Sequence, residues 1–127
     1  MMKSKFAGNK KVMLEAEGFN INVDLPKAMG GDNTAPDPFV MLKASLLACS
    51  SVHLLFLIEK LGMKKEDFSL GLDTVLDDGG DIKQAIIKVF IPKDFPQDKE
   101  NTVKSVISNC KVGKHLKAEK IVELIRK

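Results

Sequence analysis

The sequence predicts an α+β domain in which an antiparallel sheet is covered by helices, one of them long and buried. Three observations predict it. Short segments alternate apolar and polar residues on both sides of one long apolar run. Turn signals of Gly, Pro, Asn and Asp separate these segments closely enough for strands to pair through hairpins. The apolar run, Pro38 to Gly62, begins at a proline, ends at a glycine and has no polar side.

Residues 11–17 place Val12, Leu14 and Ala16 on one face and Lys11, Met13, Glu15 and Glu17 on the other, the pattern of a half-buried strand. After the turn signal Gly18, Ile21, Val23 and Leu25 alternate with Asn22 and Asp24, completing a hairpin. The segment 26–38, PKAMGGDNTAPDP, is a long loop, of the kind that is often functional or mobile. Asp37 suits a helix N-cap and Pro38 the first helical position.

The central helix runs to Leu61, with Gly62 as its stop. Leu42, Leu46, Cys49, His53 and Phe56 share one stripe at steps of three and four. Ala44, Ala48 and Ser51 form a second stripe of small residues, which admits another helix closely, from this chain or a symmetry mate. Phe68, Leu70 and Leu72 then alternate with polar residues or glycine, Asp77–Asp81 is a turn, and 83–91 is a strand with Ile87, Val89 and Ile91 on one face. A second helix starts near Asp98, carries Val103, Val106, Ile107 and Cys110 on one face, and ends or kinks at Gly113. Residues 119–125 read either way, with a final strand favoured over a helix. The order is β-β-α-β-β-α-β. A helix without a polar side needs more cover than these elements supply, and an obligate dimer would provide it.

The 127 residues form a single domain, 1–127, by the usual length prior. The formal net charge is +3, from 20 Lys+Arg against 17 Asp+Glu, and it is spread along the chain. With no Trp, no Tyr and no basic stripe, nucleic acid is not an expected partner. Lys43, His53 and three serines, Ser45, Ser50 and Ser51, interrupt the 20 residues from Phe39 to Ile58, so no membrane partner is expected either. Two cysteines are too few for a disulfide scaffold. The start, MMKSKFAGNKK, has no apolar signal region, and the expected location is the cytoplasm.

By residue type alone Cys49 reads as packing, since cysteine is among the most buried residues. A mid-helix position offers it no N-terminal dipole. His53 lies one turn on, and a Cys/His pair at i, i+4 could ligate a metal or polarise the thiol. It is half a site, and a core histidine is the simpler reading. His115 is the only other histidine. The glycine segments lack the spacing and lysine of a phosphate loop, and Ser50 and Ser51 lack any triad context. No cofactor and no metal are expected.

Two segments resemble known signatures. PFVMLKASLLACSS, through Pro38, Met41, Leu42, Ala44, Ser45, Leu46, Ala48 and Cys49, is similar to the first motif of the OsmC/Ohr family of osmotically inducible and organic-hydroperoxide-resistance proteins. SNCKVGKHL, through Asn109, Cys110, Val112 and Leu116, resembles the second cysteine motif. The spacing of 61 residues between the cysteines and the element order agree with it. The resemblance implies an OsmC-like fold built as an intertwined homodimer, with long central helices packed together and sites at the interface. It implies a thiol peroxidase: Cys49 attacks an organic hydroperoxide and becomes a sulfenic acid, Cys110 closes a disulfide on it, and a dithiol reductant of unknown identity restores both. Three positions depart from the family pattern. Its activating Arg from the N-terminal part has no counterpart, since the only arginine is Arg126. Phe39 and Val40 stand where its Glu follows the proline, and Lys111 stands where a proline usually follows the second cysteine. Lys10 or Lys11 as a cation and Asp37 as an acid are the available substitutes. The alternative function is a non-peroxidase OsmC-like dimer, small-molecule-binding or structural.

Overall fold

The computed structural model describes residues 1–127. The chain divides into two compact units, Met1–Lys43 and Ala44–Lys127.

The first unit holds three strands, β1 (Lys3–Phe6), β2 (Val12–Ala16) and β3 (Phe19–Val23), in one antiparallel sheet of that order. The β2–β3 hairpin follows from the alternation in the sequence, with Val12 opposite Val23 and Ala16 opposite Phe19. β1 was not expected from the sequence. All four of its residues are exposed, so it has no hydrophobic alternation to announce it. It forms by pairing Lys3 with Glu15 and Phe6 with Val12 along the free edge of β2.

The loop after β3 is folded tightly onto Asp24, which the alternation had placed on a polar face. Asp24 is wholly buried. Its carboxylate accepts from the Leu25 amide at 2.8 Å, the Thr34 amide at 3.0 Å and the Thr34 hydroxyl at 2.7 Å, with the Asp32 amide at 3.5 Å. A buried carboxylate stays charged only when donors surround it in this way. These donors, the Thr34 hydroxyl first, hold its pKa at about 2, against burial, which acts in the opposite direction. Gly31 is obligatory here for space: a Cβ on it would lie 1.9 Å from the Leu25 carbonyl oxygen.

Helix α1 (Pro38–Lys60) begins in the first unit and continues through the second. Asp37 caps it as expected, its carboxylate accepting from the Val40 amide at 2.8 Å. Gly62, at φ 67°, closes the other end, with the Met63 amide on the Ile58 carbonyl.

The second unit continues with β4 (Ser69–Leu76), β5 (Ile82–Ile91), α2 (Glu100–Ser108) and β6 (Glu119–Arg126), in a sheet of order β4-β5-β6. The α+β class is as expected, and residues 119–126 are the favoured strand. One pairing differs from the antiparallel expectation: β6 runs parallel to β5. The connection between them contains a helix, and a crossover of that kind returns the chain in the same direction. Alternate β5 residues Ala85, Ile87, Val89 and Ile91 are buried. Leu54, Leu57 and Ile58 of α1 pack on Ile87, Val89 and Ile91, with Phe95 and with Val103 and Ile107 of α2. Each such side chain contributes roughly 1.5–3 kcal/mol by leaving water.

The buried stripe of α1 is not the one read from the sequence. Leu46, Ser50, Leu54, Leu57 and Ile58 face inward, whereas Leu42 and Phe56 are exposed. On a helix apolar all round, periodicity cannot select the face that meets the sheet. The helix is long and apolar enough to cross a membrane by length and composition alone, a test that soluble core helices also pass.

Candidate active site

Both cysteines lie in the second unit. Cys49, in the middle of α1, is half-buried, and Cys110 is buried at 1% exposure. Both are free thiols. Leu46, Ala85 and Cys110 form a small apolar cluster, separate from the main core, and Cys49, Leu72, Val112 and Leu116 pack against it. The structure therefore brings Cys49 and Cys110 into one cluster from opposite ends of the unit.

Cys110 is not on the helix as expected. α2 ends at Ser108, and Cys110 opens the turn that follows, its own amide bonded to the Ile107 carbonyl at 3.1 Å. The turn brings the Gly113 amide back to the sulfur, 3.2 Å away, as an amide approaches a capping oxygen at a helix start. The Ser50 hydroxyl also donates to Cys110 Sγ, at 3.9 Å. Ser50 is wholly buried on α1, next in sequence to Cys49. Neither Ser50 nor Gly113 was singled out from the sequence for this role. Ser50 had no motif context, and Gly113 read only as a helix terminator.

Gly113 is required by space. A Cβ there would stand 2.9 Å from Cys110 Sγ, 3.2 Å from Lys120 Cδ and 3.5 Å from Leu46 Cδ1. The stem of Lys120 thus passes close to Gly113. Its ammonium donates to the carbonyls of Leu116 at 2.9 Å and Ala118 at 3.1 Å.

Lys11, Asp37, Arg126 and His115 are engaged elsewhere. Lys11 pairs with Asp32 at 3.0 Å, and Asp37 is the helix cap. Arg126 donates to the carbonyls of Pro92, Lys93 and Phe95 and pairs with Glu100, binding the end of β6 to the loop before α2. His53 is half-buried on α1, and His115 is exposed with Nδ1 on the Lys111 carbonyl at 2.8 Å. No group of three or more His, Cys, Asp or Glu side chains converges as a metal site would require.

A pair of free thiols in one apolar cluster, carried by an α+β chain with a long apolar helix, defines a two-cysteine protein of mixed α and β structure. The chain belongs to the OsmC-like protein family, whose sequence model matches residues 31–125. Comparison with curated protein sequences gives no match. Among solved structures, an OsmC-like protein from Mycoplasma pneumoniae aligns at TM-score 0.78 and 11% identity, covering 99% of this chain and 95% of that one. An organic hydroperoxide resistance protein OsmC from Legionella pneumophila aligns at TM-score 0.66 and 16% identity, over 100% and 95%. The organic hydroperoxide resistance protein OhrB of Bacillus subtilis aligns at TM-score 0.59 and 16% identity, over 100% and 96%. At these identities the likeness is one of fold.

Proposed function

We infer that this protein reduces organic hydroperoxides by a two-thiol cycle. The single observation that carries the reading is that the half-buried Cys49 packs against the cluster containing the buried Cys110, with both thiols free. The thiolate of Cys49 attacks the terminal oxygen of the hydroperoxide. The O–O bond breaks, the alcohol leaves with a proton, and Cys49 carries a sulfenic acid. The thiolate of Cys110 then attacks that sulfur. An S–S bond forms, the S–O bond breaks, and the hydroxide departs as water. A dithiol reductant of the compartment, taken here as the cytoplasm, restores both thiols by exchange.

The test is consumption of cumene hydroperoxide with dithiothreitol as reductant. Wild type turns over and Cys49→Ser falls to the buffer rate, while Cys110→Ser given one equivalent of hydroperoxide without dithiothreitol stops at the Cys49 sulfenic acid. Serine suits position 110 because its oxygen also accepts from the Gly113 amide. Equal rates for wild type and Cys49→Ser overturn the reading.

A specific observation favours a second reading, a non-peroxidase OsmC-like dimer that binds a small molecule or serves a structural role. The only arginine is held by three carbonyls and Glu100. No guanidinium is then available to activate Cys49. Under this reading neither cysteine variant alters hydroperoxide loss.

Under either reading the assembly is a homodimer. The support is α1, which exposes Phe39, Val40, Leu42, Val52 and Phe56 in the single chain.

A further inference from the structure

We propose that Ser50 is a positioning residue for Cys110, governing closure of the Cys49–Cys110 disulfide and not the first attack on peroxide. The inference rests on the two-thiol reading and adds to it the group that prepares the second thiol.

A thiol that must attack a sulfenic acid needs its sulfur aimed and its anionic form supported. In a buried, apolar surrounding, donors must come from the protein. Cys110 receives two: the Gly113 amide at 3.2 Å and the Ser50 hydroxyl at 3.9 Å. They reach the sulfur from different segments, the turn after α2 and the middle of α1. The amide is backbone and local, so it sets the turn. The hydroxyl is the one side-chain donor, and it belongs to the residue after Cys49. The same stretch of helix therefore carries the attacked sulfur and the group that orients its attacker. Ser50 is fully buried, where an apolar residue would pack at lower desolvation cost. Its hydroxyl is explained by the sulfur it reaches.

The reaction assisted is closure: Cys110 S⁻ attacks the Cys49 sulfenic sulfur, S–S forms, S–O breaks, and hydroxide is protonated from the medium. Loss of one donor to an anionic sulfur slows closure roughly tenfold.

The experiment treats full-length protein with one equivalent of cumene hydroperoxide and traps sulfenic acid with dimedone, reading adduct and disulfide by mass spectrometry. In Ser50→Ala the ratio of adduct to disulfide rises about tenfold over wild type. Ser50→Thr, which keeps a hydroxyl, returns the ratio toward wild type. A merely structural role would lower the denaturation midpoint without moving this ratio. An unchanged ratio in Ser50→Ala overturns the proposal. A parallel arm oxidises the thiols with diamide, which adds to Cys49 and is displaced by Cys110 to give the disulfide and a hydrazine. If wild type ignores the hydroperoxide, the peroxidase reading fails, and slower diamide closure in Ser50→Ala still sustains the role of Ser50. Equal diamide rates overturn it.

Discussion

The Gly113 amide donates to the Cys110 sulfur across 3.2 Å, and no other residue fits at 113 without moving that sulfur. The backbone and the thiol approach more closely than a Cβ permits. Gly113→Ala should therefore cost about 1–3 kcal/mol, the usual penalty for overpacking a filled site. Urea unfolding measures it. The same variant should make Cys110 react faster with a thiol-specific reagent, because the sulfur is displaced from its buried seat.

Asp24 and Thr34 give the protein an acid-sensitive loop. The Asp24 carboxyl titrates at about 2 in the folded chain, below its ordinary value of 3.8. A depressed folded pKa contributes stability that is present above 3.8 and lost as pH falls through about 2. Wild type should therefore lose its advantage over Asp24→Asn between these limits. Thr34→Ala, which removes the strongest donor, should narrow the window. Urea midpoints of the three proteins from pH 5 to pH 2 provide the check, and a constant difference across that range would count against the linkage.

Arg126 is a clamp. It donates to three carbonyls, of Pro92, Lys93 and Phe95, and pairs with Glu100. Arg126→Ala should destabilise by about 1–3 kcal/mol. Arg126→Lys should recover only part of this, since an ammonium cannot reproduce the planar fork. Single-turnover hydroperoxide loss should be the same in all three proteins.

Leu54 is 1% exposed between the sheet and α2. Leu54→Ala should cost about 2–5 kcal/mol, the range for a cavity in a core that relaxes incompletely. Phe56, two residues on, is 67% exposed. Phe56→Glu should leave the fold of the chain intact and convert the proposed dimer to monomer in sedimentation velocity. An unchanged sedimentation coefficient would remove this face from the interface.

Much of the fold was legible where local chemistry is strong. Asp37 and Gly62 marked both ends of α1, and the alternation at Ile87, Val89 and Ile91 marked the core face of β5. β1 escaped because it is polar and exists only through its partner strand. Asp24 was misplaced because strand parity put it with Asn22, while the loop that follows wraps back over it. The candidate site was legible as two cysteines. Its donors were not, since a serine beside a cysteine and a glycine after a helix have many commoner uses.

The sequence by itself determined the α+β class and the long apolar helix, and it offered the two cysteines as the candidate site. Periodicity and capping are local, so they can be read along the chain. Only the tertiary structure decided which face of α1 is buried, that β6 lies parallel to β5, and that Ser50 and Gly113 both meet the sulfur of Cys110. Each of these depends on contacts between residues far apart in the chain or on the path of a turn. The 60 residues between the two thiols carry no local signal of how close folding brings them.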